Sequence, residues 1–146
     1  MSPRLFALLI ACLAALPAAA FACSCAPPPA PDLALQGAGA VFEARVLSGP
    51  HGAPEGGDGP YFGPVTWEVE VLRAWKGSPE PRTTISTSSQ GSMCGRQYSV
   101  GSRYLVYAAR SDDGVLSDSI CSRTRSGETI AADVAVLGPG QPLPAA

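Results

Sequence analysis

Apolar and polar residues alternate most strictly in VTWEVEVLRAW, residues 65–75. Val65, Trp67, Val69 and Val71 fall on one side and Thr66, Glu68 and Glu70 on the other, which predicts a strand with one face in a core. AVFEARVL, 40–47, alternates in part and reads as a second strand. RTTISTS, 82–88, is rich in β-branched residues, which suit a pleated surface. GSRYLVYAA, 101–109, is a fourth strand and VLSDSIC, 115–121, a fifth, joined to it as a hairpin by the turn SDDG. In the tail the period changes. Within SGETIAADVAVLGPG, Ile130, Val134 and Leu137 recur at i, i+4 and i+7, predicting a helix over about 127–137, capped by Ser126 and ended by Gly138-Pro139.

The connecting stretches carry turn chemistry. Asp32 is placed to cap a short turn, DLALQGAG, and SGPHGAPEGGDGP, 48–60, shows neither a helix nor a strand pattern. Five short strands and one helix suit a mainly β fold, a five-stranded OB-like barrel with a C-terminal helix packed on it; a small sandwich could use the same strands. Trp67 and Trp75 are evenly spaced on one strand, which puts both on one face, as core rather than ligand platform. Tyr104 and Tyr107 have opposite parity, so at least one is expected to face out. Arg123 reads as a solvated turn residue, and Asp112-Asp113 as turn chemistry.

Ahead of these elements lies a leader. Arg4 precedes an apolar run from Leu5 to Leu16, then Pro17 and small residues to Ala22. That is the layout of a secretory signal peptide, and the run is too short to span a bilayer. Cleavage after Ala18-Ala19-Ala20 would leave Phe21 first, and cleavage after Ala20-Phe21-Ala22 would leave Cys23 first; the second is favoured. Lipidation of Cys23 is the minor case, since Phe21 is bulky for a lipid-attachment signal. The expectation is a signal peptide at 1–22 and one domain at 23–146, secreted or periplasmic, with no membrane span.

Charge and composition narrow the partners. With the leader removed, 9 basic and 12 acidic residues remain, a net charge near −3, and Lys76 is the only lysine. There is no basic stripe for nucleic acid or anionic lipid. Prolines number 15 and glycines 16, which argues for a loop-rich β protein.

Cys12 leaves with the leader, so Cys23, Cys25, Cys94 and Cys121 remain. An even number in an exported small domain reads as two disulfides. Cys23 and Cys25, two apart on an extended segment, do not bridge each other comfortably, so each should reach Cys94 or Cys121. Such bridges close loops of about 70 to 100 residues, for which the chain-entropy model gives at most about 4–5 kcal/mol each. A four-cysteine zinc site is the weaker reading, because the pattern lacks paired C-x-x-C knuckles. A nucleophilic Cys94 is weaker still: the only histidine, His51, lies in the Gly/Pro-rich loop, leaving no obvious base.

Taken together, several stretches resemble a known family. They are CSC followed by prolines (23–29), AVFEARV (40–46), VEVLRAWKG (69–77), MCG (93–95), GSRYLVYA (101–108) and LSDSICSRT (116–124). The chain is similar to the N-terminal, netrin-like domain of the tissue inhibitors of metalloproteinases, and to bacterial proteins that resemble it. The resemblance implies an OB-like barrel with bridges Cys23–Cys94 and Cys25–Cys121. Two departures stand out. Animal members carry a third bridge in this domain and a further cysteine-rich domain, and this chain has neither.

The resemblance also implies a mechanism that the residues support. A first-position Cys23 offers an α-amine and a carbonyl oxygen that together chelate one metal in a five-membered ring. An α-amine with a pKa of about 7.7–8.0 is partly neutral near pH 7, and coordination eases loss of its proton. Occupying the open position of a catalytic zinc expels the water that attacks substrate. Two disulfides and Pro27, Pro28 and Pro29 would stiffen the segment and lower the ordering cost of binding. Along this ridge Ser24, Cys25, Ala26 and Pro27 are the expected contacts with a protease cleft, Ser24 at the specificity pocket, with Ser92 and Met93 tied beside it. The leading expectation is a secreted, monomeric inhibitor of a zinc metalloprotease, not an enzyme, with no cofactor and no metal of its own. The alternatives are a non-inhibitory netrin-like scaffolding module of the cell envelope, or a barrel that binds an oligosaccharide or other small ligand on its face.

Overall fold

The computed structural model describes residues 23–56, 59–77 and 79–144; the expected leader, 1–22, lies outside them. The described chain begins as an extended segment and enters helix α1, Pro31–Gly37, with Pro31 at its first turn, where a missing N–H costs nothing. Strands β1 (Ala40–His51), β2 (Pro64–Lys76) and β3 (Arg82–Ser88) follow. A 3-10 turn at Gly91–Met93 leads to β4 (Arg103–Arg110), β5 (Leu116–Ser117) and β6 (Arg125–Ser126). Helix α2 (Thr129–Leu137) and β7 (Gln141–Pro142) close the chain.

Pairing makes the sheet a barrel. β1 pairs antiparallel with β2 and β2 with β3; β3 pairs parallel with β5, β5 antiparallel with β4, and β4 antiparallel with β1. The path β1-β2-β3-β5-β4 returns to β1, so the five-stranded OB-like closure expected from the sequence is present, with α2 packed on it. β6 pairs antiparallel with β4 at Tyr104 and Leu105, and β7 pairs with the far end of β2.

Two apolar clusters hold this shape. Inside the barrel, Phe42, Ala44, Val46, Trp67, Val69, Val71, Ile85, Tyr98, Tyr104 and Val106 pack together. Burying a Phe or Ile side chain such as Phe42 or Ile85 contributes about 1.5–3 kcal/mol. Outside it, Val41, Leu105 and Tyr107 meet Ala34 of α1 and Ile130 of α2, with Val134 and Leu137 packed against them. The helical period read from Ile130, Val134 and Leu137 thus faces the barrel as expected. β1 and β4 are covered on both faces, which explains the unbroken burial of residues 40–44 and 104–108.

Several expectations are corrected by this double covering. Tyr104 and Tyr107 are both buried, one inside the barrel and one beneath the helices, so neither faces out. Trp67 and Trp75 lie on opposite faces, because the β1–β2 register shifts between Val41 and Phe42 and again between Glu43 and Ala44, and the alternation slips between Val71 and Ala74. Trp67 enters the barrel, while Trp75 packs toward α2. β1 continues to His51, into the stretch read as loop, and β5 shrinks to Leu116–Ser117. Neither helix has its expected side-chain cap. Ala30 rather than Asp32 precedes α1, and Ser126 serves α2 through its carbonyl, which accepts from the Thr129 hydroxyl at 2.7 Å. Gly138, at φ 81°, ends α2 as expected. Asp113 accepts from the Ser111 hydroxyl, which holds its carboxyl below the ordinary value and bears out the turn reading of SDDG.

The Trp-Lys-Gly end of β2 ties both helices to the barrel. Trp75 Nε1 donates to the carbonyl of Gly138 at 2.9 Å, fixing the C-terminal end of α2. Lys76 Nζ donates to the carbonyls of Leu35 and Gln36 at 3.0 and 2.7 Å, placing a cation at the C-terminal end of α1. Gly77 turns at φ 86°, and a Cβ there would sit 2.7 Å from the carbonyl oxygen of Gly39. Only glycine suits that approach.

Candidate functional site

The four cysteines pair as Cys23–Cys94 and Cys25–Cys121, with Cα atoms 5.4 and 5.1 Å apart, spanning 71 and 96 residues of sequence. The bridges lie against each other: the sulfur of Cys121 is 3.9 Å from that of Cys23 and 3.8 Å from that of Cys94. Three of these sulfurs are close enough to suggest a cation site, but each is already bonded to another sulfur and offers no thiolate.

Between and beyond the bridged residues the chain is presented to solvent. Ser24, Cys25, Ala26, Pro27, Pro28 and Pro29 are exposed, and Cys23 is half-buried. Ser92 and Met93 are also exposed, on the 3-10 turn leading into Cys94. Cys94 itself adopts φ 60°, a left-handed conformation that costs a non-glycine residue about 1–2 kcal/mol. Its N–H bonds the Gly91 carbonyl, and its carbonyl accepts from Ile120 N–H at 2.9 Å. The structure therefore brings the expected residues of the ridge and of GSMC to one edge of the molecule through the two bridges.

Three residues at this edge had no signal in the sequence. Ile120 and Leu33 are 41% and 55% exposed, large apolar side chains like the 48%-exposed Met93. Leu33, Pro29, Cys121 and Arg123 line a depression of about 430 Å³ beside the ridge. The third is Arg123, expected in solvent but only 14% exposed. Its Nε and Nη2 each donate to Asp133 at 2.7 Å, and its Nη1 donates to the carbonyl of Pro29 at 2.6 Å. One guanidinium thus joins the proline segment to α2.

Two buried carboxylates brace the loop that carries Cys121. Asp133 also accepts from Tyr107 Oη at 2.8 Å; burial, then this bond, pushes the Tyr107 phenol far above its usual range, and the bonds to Asp133 raise Arg123 further. Asp118 accepts from Arg96 Nε at 2.7 Å, from Tyr98 Oη and from the hydroxyls of Ser122 and Thr124. Arg96 Nη2 reaches on to the Ser119 carbonyl at 2.8 Å. Burial first, and Asp118 second, push the Tyr98 phenol well above its usual value. A carboxylate with several donors is satisfied where a bare one would cost several kcal/mol, so residues 118–124 are held in one arrangement.

The arrangement is an exposed edge held by two crosslinks. A stiff segment loses little entropy on docking, and exposed apolar side chains at its flanks suit a protein partner. Among the described residues no helix is long and apolar enough to cross a membrane. The two disulfides favour an extracytoplasmic setting. A comparison with curated proteins gives no match. The family model described as tissue inhibitor of metalloproteinase matches residues 21–133, from just before the first bridged cysteine into α2. With well over half of its length matched and the barrel and both bridges in place, the chain belongs to the tissue inhibitor of metalloproteinase family.

Proposed function

We propose that this protein is an exported inhibitor of a zinc metalloendopeptidase, acting through the α-amine and carbonyl oxygen of Cys23 as first residue of the mature chain. The leader 1–22 is removed on export to the periplasm or medium, leaving one domain, 23–146, that acts as a monomer. The chelating pair displaces the water on the target's zinc, and Ser24 enters the neighbouring specificity pocket. Serine fills such a pocket poorly, but its hydroxyl reaches the catalytic carboxylate. Cys25, Ala26 and Pro27 follow along the cleft, with Ser92 and Met93 beside them. The protein carries out no chemistry of its own.

The observation that supports this most is the double tether. Residues 23 and 25 are each crosslinked to the barrel, so the group that would meet the metal is anchored on both sides of Ser24. The bond from Arg123 to Pro29 fixes the segment again before α1 begins. Family membership carries the reading to metalloproteinases in general.

Intact mass of the exported protein, followed by titration against secreted zinc metalloendopeptidases, tests it. A mass beginning at Cys23 with a free amine, together with stoichiometric inhibition, is the expected result. A mass beginning at Phe21, an acylated Cys23, or a correctly processed protein that inhibits none of them would leave the scaffolding role instead.

A further inference from the structure

A groove away from the ridge is built around a buried ion cluster. Its volume is about 870 Å³, within the range of about 300–1,000 Å³ usual for small-ligand sites. None of its lining residues belongs to the ridge or to the 3-10 turn. One end holds Glu43, Arg73 and Arg103; the wall is a face of α2 that includes Ile130, Val134 and Ala135.

Glu43 is fully buried, on the outward side of β1. Its Oε2 accepts from Arg73 Nε at 2.6 Å, and its Oε1 from Arg103 Nε at 2.8 Å and from Arg103 Nη2. Arg73 Nη1 is also taken, by the carbonyl of Pro139 at 3.2 Å, and its guanidinium lies 5.1 Å from the Trp75 ring. Arg103 Nη1 and Arg73 Nη2 meet no acceptor among the described residues, and 54% of the Arg103 side chain is exposed. Two arginines against one carboxylate leave one positive charge. A buried ion pair of this kind adds little stability over an apolar replacement, but it holds guanidinium forks in fixed orientation for a further anion. The other ionised residue on the lining is Glu128, exposed at the start of α2.

The wall decides what the anion is attached to. Ile130, Ala131, Val134 and Ala135 offer only apolar side chains, so a peptide laid there would leave its backbone N–H and C=O groups without side-chain partners along the wall. An alkyl chain has no such groups. We propose that this groove binds an acyl-chain monocarboxylate, its head on Arg103 and Arg73 and its chain along α2.

The test is heteronuclear NMR titration of the oxidised protein with sodium decanoate below its micelle concentration. Parallel titrations use decyltrimethylammonium and a short apolar peptide with a free C-terminus. Decanoate should give saturable shifts at Ser102, Arg103, Ala131, Val134 and Ala135, and the cationic amphiphile none at these positions. Arg103→Met should weaken decanoate at least tenfold. Ala135→Glu, on an exposed position of α2, should do the same while leaving the fold unchanged. No saturable decanoate binding, equal binding of the cation, tighter binding of the peptide, or unchanged affinity in A135E would each overturn the assignment.

Discussion

Arg123 and Pro29, 94 residues apart in sequence, are joined by a 2.6 Å hydrogen bond from the guanidinium to the carbonyl. The same guanidinium is clamped by Asp133 of α2, so the exposed proline segment is positioned by the helix at the other end of the chain. Removing this link should be felt in the fold first. Arg123→Met leaves Asp133, 2% exposed, with Tyr107 and only a 3.9 Å approach from Arg125. Breaking a buried pair from one side costs about 3–5 kcal/mol. Urea unfolding should show a loss of that order, and R123M/D133N should be more stable than R123M, because no unpaired buried charge is left.

The end of β2 gives a second, more local expectation. Gly77→Ala places a methyl 2.7 Å from a backbone carbonyl at a positive φ, so it should cost more than about 1 kcal/mol. Trp75→Phe removes the bond to Gly138 and should cost about 1–2 kcal/mol. Both are read from denaturant midpoints, with barrel pairing checked by far-UV circular dichroism.

Alkaline pH should weaken the fold through two tyrosines. Tyr98 and Tyr107 keep their protons well above 10 when folded, the first cause in each being burial. In the unfolded chain they lose them near pH 10. Above that pH the unfolded state binds fewer protons than the folded one, so stability falls as pH rises; below it these two groups add no slope. Urea midpoints between pH 8 and 11 should therefore be level with respect to these groups up to about pH 10 and then drop. Tyrosinate absorbance of Tyr98 and Tyr107 should appear at higher pH in the folded protein than in the urea-unfolded chain.

The crosslinks make a fourth expectation. Replacing Cys25 and Cys121 together by serine should cost about 2–5 kcal/mol, measured by thermal unfolding, and leave the Cys23–Cys94 bridge to be found by peptide mapping.

Legibility of the fold followed the range of the forces involved. Val65 to Val71 declared β2 because alternation is local, and Ile130, Val134 and Leu137 declared α2 for the same reason. Trp75 departs from the alternation because the slip after Val71 depends on how β1 lies across β2, which no local pattern encodes. Tyr107 lay hidden because its cover comes from α1 and α2, far along the chain. Arg123 looked like a surface residue because its partners, Pro29 and Asp133, are long-range. In the ridge, CSC and the prolines were legible as covalent and steric facts, whereas Ile120 and Leu33 join its edge only once the barrel has closed.

The account rests on Cys23 as a free first residue meeting a metal. Its most direct test compares inhibition of one sensitive zinc metalloendopeptidase by the oxidised protein beginning at Cys23 and by the same protein with a single alanine ahead of it. Losing the chelate should weaken inhibition by at least about a hundredfold, about 2.7 kcal/mol, with the unfolding midpoint unchanged. Equal inhibition by both forms would contradict the account.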